Sequence, residues 1–164
     1  SNVDDGDTFA AIIDALEEIA SDIPIIFPAH PRTVKNIEKF GFKSRFKAWE
    51  GRGGVSDGLY ILDPLGYLQY QRLTIGAKLV LTDSGGIQEE TTYLGIPCIT
   101  IRENTERPVT VDVGTNIIVG ADGEKIVRAA KEVLSGSWKK GRVPELWDGR
   151  AAVRIVGILE KSLS

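Results

Sequence analysis

The sequence predicts an α/β fold: a Rossmann-like parallel sheet with helices on both faces. Three observations carry the prediction. Short apolar runs recur, among them Ile23-Pro24-Ile25-Ile26-Phe27-Pro28 and Lys78-Leu79-Val80-Leu81-Thr82, and such runs suit strands buried on both sides. Between them lie stretches whose apolar residues repeat every three or four positions, the helical period. Strand and helix alternate at the pace of βαβ units, whose parallel strands are joined by crossover helices. At 164 residues the chain is one ordinary domain, long enough to hide roughly 70% of its unfolded surface.

Along the chain, Asp7 and Thr8 are caps for a first helix carrying Phe9, Ile12, Ile13, Leu16, Ile19 and Ala20. The 23–28 run is the first strand. Pro31 opens a second helix through Val34, Ile37 and Phe40, since proline is tolerated in a first turn whose N–H groups have no partner, and Gly41 stops it. Residues 43–58 read as an irregular loop, with Lys43, Arg45, Lys47 and Arg52 alternating with aromatics before Gly51, Gly53, Gly54 and Gly58. Strands are then expected at 59–62, 78–82, 97–101 and 116–119. Helices are expected at 67–75, 85–94, 124–134 and 150–162. Residues 138–148 read as an irregular connection before the last helix, which has this domain or a missing partner to pack on. No repeat, low-complexity tract or linker divides the domain.

Charge and composition exclude several classes. Twenty Lys+Arg against 23 Asp+Glu leave −3, where a nucleic-acid footprint needs a positive excess. One cysteine, Cys98, and one histidine, His30, cannot make an internal disulfide or a Cys/His zinc site, and they suit a reducing cytoplasm. No 18-residue apolar run exists to span a membrane. The acidic start is not a signal peptide, and the lack of methionine points to a processed or engineered start, or a fragment. The lysine-bearing P-loop motif and the dinucleotide fingerprint are both missing, and no carboxylate pair for proton abstraction can be identified.

Ligands of open parallel sheets bind beyond the carboxyl ends of the strands, and three segments fall there. In Asp83-Ser84-Gly85-Gly86-Ile87-Gln88-Glu89-Glu90, two glycines open a helix whose free N–H groups and positive dipole end suit an anion, with Ser84 adding a hydroxyl. An ordinary capped turn is the alternative, although neither Ser84 nor Asp83 has a capping box. Ile87 and Leu94 are expected to face inward, Glu90 to lie on nearly the same side, and Glu89 to point to solvent. Glu90 then suits ribose hydroxyls, or is simply part of a solvated acidic face. In Phe27-Pro28-Ala29-His30-Pro31-Arg32 the histidine could donate to a phosphate, carry a proton, or be structural. In Arg102-Glu103-Asn104-Thr105-Glu106-Arg107-Pro108, an arginine reaching an anion in bidentate fashion competes with a surface salt-bridge cluster.

At these residues the sequence resembles the non-hydrolysing UDP-N-acetylglucosamine 2-epimerases. The matching stretches are Ser1 to Asp4, Phe27 to Thr33 (FPAHPRT), Asp63 to Tyr67 (DPLGY), Thr82 to Glu90 (TDSGGIQEE), Leu94 to Pro97 (LGIP), Arg102 to Val109 (RENTERPV), Gly114 to Asn116, Val119-Gly120 and Leu146 to Arg154 (LWDGRAAVR). They run in family order over essentially the whole chain. The resemblance implies a two-domain glycosyltransferase-B arrangement of which residues 1–164 are the single UDP-binding, carboxyl-terminal Rossmann-like domain, with the amino-terminal domain absent. It implies that Ser84, Gly85 and Gly86 hold the diphosphate and Glu90 the ribose. Tyr67 with nearby backbone shapes the uracil pocket, and His30 and Arg107 reach the cleft as catalytic groups.

The implied reaction converts UDP-GlcNAc to UDP-ManNAc for surface polysaccharide. A proton leaves C2, UDP is eliminated, and the resulting 2-acetamidoglucal is reprotonated on its other face as UDP adds back. No NAD, other cofactor or metal is implied, and the acid/base carboxylates belong to the absent domain, so the chain is expected to be inactive alone. The full-length protein is expected to be a cytoplasmic homodimer. The alternatives are a nucleotide-recognition module without turnover, or an epimerase, possibly hydrolysing, of another UDP-N-acetyl sugar. Val109 stands where other family members carry glutamate, which bears on any regulatory nucleotide role of that loop.

Overall fold

Every expected apolar run becomes a strand, and every strand is parallel to its neighbours. The structure is a computed structural model describing residues 2–49 and 53–163. Of the residues read above, Ser1, Gly51 and Arg52 lie outside the described ones. The order is α1 (Gly6–Ala20), β1 (Ile25–Pro28), α2 (Pro31–Lys39), a 3-10 turn at Lys43–Arg45, β2 (Lys47–Ala48), β3 (Leu59–Leu62), α3 (Tyr67–Ile75), β4 (Val80–Thr82), α4 (Gly85–Leu94), β5 (Cys98–Thr100), α5 (Pro108–Asp112), β6 (Asn116–Ile118), α6 (Gly123–Leu134) and α7 (Ala151–Leu163). The strands form two three-stranded sheets, β1-β3-β2 and β4-β5-β6. Phe27 lies opposite Ile61, and Leu81, Ile99 and Ile117 align across the second sheet.

α1 ties the two sheets together. Its Ile12, Ala15 and Ile19 join Ile99, Val119 and Ile126 in one core, while Phe9, Ile13 and Ala20 join Ile37 and Leu59 in another. Ile13, Ile19, Ile99 and Ile126 are fully buried, each worth roughly 1.5–3 kcal/mol relative to exposure. Beneath the second sheet α1 and α6 approach closely, with the Ala11 carbonyl only 3.2 Å from where a Cβ on Gly123 would stand.

The other face of the second sheet is polar, and it corrects the sequence reading of α4. Gln88, Thr91 and Thr92 are the buried residues of that helix, whereas Ile87 is half-buried and Leu94 is exposed. They meet Thr100, Thr110 and Asn116, also buried. Reading apolar spacing alone put the inward face on the wrong side, because hydrogen-bonded polar residues can be buried as completely as apolar ones.

Three further differences are local. Asp5, not Asp7 or Thr8, caps α1: its carboxylate accepts the Thr8 N–H at 2.8 Å. The 43–58 stretch holds the two-residue strand β2, which pairs with β3. The segment after Arg107 forms the short helix α5, its proline in the first turn where the missing N–H does no harm. α7 has no buried residue, and Val153, Ile155, Val156, Ile158 and Leu159 stand exposed. β1 and β4 are edge strands, as are β2 and β6, and both are only half-buried where the central β5 is fully buried. No helix among the described residues is long and apolar enough to cross a membrane.

Candidate functional site

All the loops that carry candidate residues leave the carboxyl ends of the strands, as parallel topology requires. Ser84 is the residue before α4 and sits in extended conformation (φ −92°, ψ 128°), yet its side chain makes no capping hydrogen bond. Its own N–H is held by Thr82 Oγ1 at 3.0 Å. The first N–H groups of α4 therefore face outward without a side-chain cap, and the Ser84 hydroxyl is available beside them.

Neither glycine of this turn is demanded by the fold. Neither has a positive φ. A Cβ on Gly86 would meet only Ser84 Oγ, at 4.0 Å, and one on Gly85 only Arg107 Cγ and Glu106 Oε2, at 3.9 and 4.0 Å. These are ordinary contacts, so what the missing Cβ leaves open is close approach from outside.

The loop after β5 stands directly over this turn. Arg107 pairs through Nε with Glu89 Oε1 at 2.8 Å and is roughly half exposed, with side-chain exposure of 46%. Glu89, expected to point to solvent, is thus partly spent on Arg107. Arg102 is bidentate on Glu106, at 2.9 and 3.1 Å, and that hydrogen bond holds the Glu106 carboxyl below its usual range while raising Arg102. Both arginines of the loop are therefore held in ion pairs, Arg102 on Glu106 and Arg107 on Glu89 through its Nε.

Glu90 accepts a hydrogen bond from the Gln71 amide of α3. The start of α3 is fixed by Gln69, whose side chain accepts the Gly66 N–H at 3.1 Å. Tyr67, its first residue, is 67% exposed. Half-buried on the same helix, Tyr70 has its phenol raised chiefly by desolvation.

His30 caps α2: its Nδ1 accepts the Arg32 N–H at 3.2 Å. With Nδ1 accepting, Nε2 is the nitrogen of this exposed ring that carries the hydrogen. His30 lies at the end of the first sheet, apart from the Ser84 and Arg107 loops on the second. Asn2 and Val3 span the two: the Asn2 amide donates to the Ile101 carbonyl after β5, and Asn36 of α2 donates to the Val3 carbonyl at 2.8 Å.

The structure therefore brings Ser84, Gly85, Gly86 and Arg107 together, joins Glu90 to the Tyr67 helix, and sets His30 across the sheet edge from them. Residue-by-residue reading missed Gln71, Gln88, Thr105 and Asn116. Their signal is only their burial or pairing in space. Among the described residues no three His, Cys, Asp or Glu side chains could share a metal ion. A groove between α1 and α6 shares no residue with this site.

Comparison with known proteins gives this geometry a relationship. The family model for UDP-N-acetylglucosamine 2-epimerase matches residues 1–160. The UDP-N-acetylglucosamine 2-epimerase of Methanocaldococcus jannaschii is 40% identical over 162 residues, covering 96% of this chain and 41% of that protein. Its solved structure in complex with UDP-GlcNAc and UDP matches with a TM-score of 0.77 and 39% identity, over 98% of this chain and 42% of that one. A UDP-2,3-diacetamido-2,3-dideoxy-D-glucuronate 2-epimerase of Pseudomonas aeruginosa is 38% identical over 134 residues, 81% of this chain and 34% of that protein. This chain spans about two fifths of the length of the curated relatives it matches. With the family model covering nearly all of its residues, the chain belongs to the UDP-N-acetylglucosamine 2-epimerase family.

Proposed function

We propose that the chain is the UDP-binding half of a UDP-GlcNAc 2-epimerase. The observation that carries this is the start of α4: uncapped N–H groups, two glycines the fold does not need, and a partly free arginine above them. Backbone donors and the helix dipole at Gly85 and Gly86, the Ser84 hydroxyl and the Arg107 guanidinium would hold the diphosphate. Glu90, oriented by Gln71, would accept from the ribose hydroxyls, and Tyr67 would offer an exposed ring to the uracil.

In the reaction so proposed, a base takes the C2 proton and the C1–O electron pair leaves with the β-phosphate of UDP. The glycal then takes a proton on the opposite face of C2 while a UDP oxygen re-forms the bond to C1. Charge grows on the β-phosphate as that bond breaks. Donors fixed beforehand, namely the α4 amides, Arg107 and His30 Nε2–H, stabilise that moment more than they stabilise bound substrate. The proton-transfer carboxylates would come from the longer protein's other domain, in a glycosyltransferase-B-type pairing, so this chain alone would bind without turnover. A cytoplasmic location rests on the single buried, free cysteine, and a homodimer of the longer protein on the resemblance alone.

A second substrate reading has its own support in the Pseudomonas relative that acts on a UDP-diacetamido glucuronate. It keeps the UDP site and changes only the sugar. Titration of this chain with UDP, UMP and uridine tests the site, and a clear preference for UDP is expected. Equal affinity for uridine and UDP would remove the diphosphate from the α4 turn. Assay of the longer protein with both sugar nucleotides separates the two substrates.

A further inference from the structure

Behind the Gly85-Gly86 turn, four side chains close a hydrogen-bonded ring through the backbone of Arg107. Gln88 Oε1 accepts from Thr105 Oγ1 at 2.6 Å and from Asn116 Nδ2 at 3.2 Å. Thr105 Oγ1 accepts the Arg107 N–H at 3.0 Å. On the far side the Arg107 carbonyl accepts the Thr110 hydroxyl at 2.7 Å, and Thr110 Oγ1 accepts from Asn116 Nδ2 at 3.1 Å. Asn116 Oδ1 takes the Thr100 hydroxyl at 2.7 Å. Both ring hydroxyls donate once and accept once, and the Asn116 amide spends both hydrogens, so a single assignment of donors satisfies the whole circuit.

We propose that Gln88 is a positioning residue for Arg107, a role that rests on the UDP reading above. Gln88 is wholly buried in the first turn of α4, one step behind the amides that would receive the diphosphate. Its oxygen fixes the loop that carries the arginine, so both halves of the anion site hang from one side chain.

Gln88 is a poor choice for stability alone. Its Nε2 is buried with no partner, as is Thr92 Oγ1, and an unmade buried hydrogen bond is unfavourable. An apolar side chain of similar length would remove that penalty. What it could not supply is the acceptor oxygen that closes the ring.

The test uses this chain with Gln88→Met, Thr105→Val and Thr105→Ser, and Arg107→Ala as reference. Three quantities are read: hydrogen exchange at the Arg107 amide against that at Ile99, affinity for UDP and uridine, and the melting temperature. Gln88→Met and Thr105→Val should speed Arg107 exchange about tenfold while leaving Ile99 unchanged. They should weaken UDP about tenfold, towards the Arg107→Ala value, with uridine unaffected. Thr105→Ser should restore both. Unchanged Arg107 exchange and unchanged UDP affinity in both variants would overturn the proposal. If Gln88→Met does not fold, the Thr105 pair, at the half-exposed side of the ring, decides alone. If wild type shows no preference for UDP over uridine, the functional reading fails instead, and Arg107 exchange still decides whether Gln88 holds the loop.

Discussion

Gly86→Ala should make the protein more stable and its nucleotide site worse. Gly86 is inside α4 with a negative φ, so it does not need glycine's freedom. A Cβ there meets nothing closer than Ser84 Oγ at 4.0 Å. Alanine in a helix is worth about 0.5–1 kcal/mol over glycine. For a domain of this size that is a rise of about 2–4 °C per kcal/mol in melting temperature. The same methyl, however, occupies the space through which a phosphate oxygen must come to reach the amides at about 2.9 Å. Losing one charge-assisted bond of about 1.4 kcal/mol or more means at least tenfold weaker UDP. Thermal unfolding by circular dichroism and calorimetric titration with UDP read the two effects separately. Unchanged UDP affinity would refute the placement of the diphosphate. A lower melting temperature would refute the argument that the fold leaves this position open.

In the longer protein, Arg107→Ala should lower kcat on the order of 10²-fold with a smaller change in KM, and Arg107→Lys should recover only part, because a point charge lacks the fork; a change confined to KM would leave the arginine a binding role only. Arg45 donates to Glu17 at 2.9 Å and also pairs with Asp14, and this hydrogen bond lowers the Glu17 carboxyl below its ordinary 4.5. A depressed carboxylate stabilises the fold above that value and loses its contribution as pH falls through the folded one. Arg45→Met should therefore cost about 0.5 kcal/mol in urea unfolding at pH 7, solvent screening included, and less at pH 3. An equal cost at both pH values would show that packing, not charge, is at stake. Cys98 is buried, and burial pushes its thiol up from 9.0 to about 11; alkylation at pH 8 should proceed no faster than unfolding, and the stability tied to this thiol should decline as pH rises from about 9 towards 11. Rapid labelling of the native protein would contradict the burial.

The sequence carried most of the fold because its strands are short apolar runs with one reading. Ile25 to Pro28, Leu59 to Leu62 and Val80 to Thr82 all fall inside their expected runs. It carried less where a two-residue pairing decides, as at Lys47 and Ala48, which have no strand pattern and pair only because β3 lies beside them. It failed at α4. Ile87 and Leu94 look like a core face, but Gln88, Thr91 and Thr92 occupy it. Polar residues can take a buried face only if partners await them, and Thr100, Thr105, Thr110 and Asn116 come from four later segments.

The sequence alone determined the parallel α/β architecture, the Gly-Gly turn at a helix start and the TERP loop, because each is written within a few consecutive residues. Tertiary structure decided how those pieces meet: that Arg107 pairs with Glu89 while Arg102 pairs with Glu106, that Gln71 orients Glu90, and that His30 serves α2 through one nitrogen and carries its hydrogen on the other. Periodicity specifies which way a side chain faces within its own element. It holds no information about which donor from another element will be within 3 Å, and hydrogen bonds and ion pairs are settled at that range.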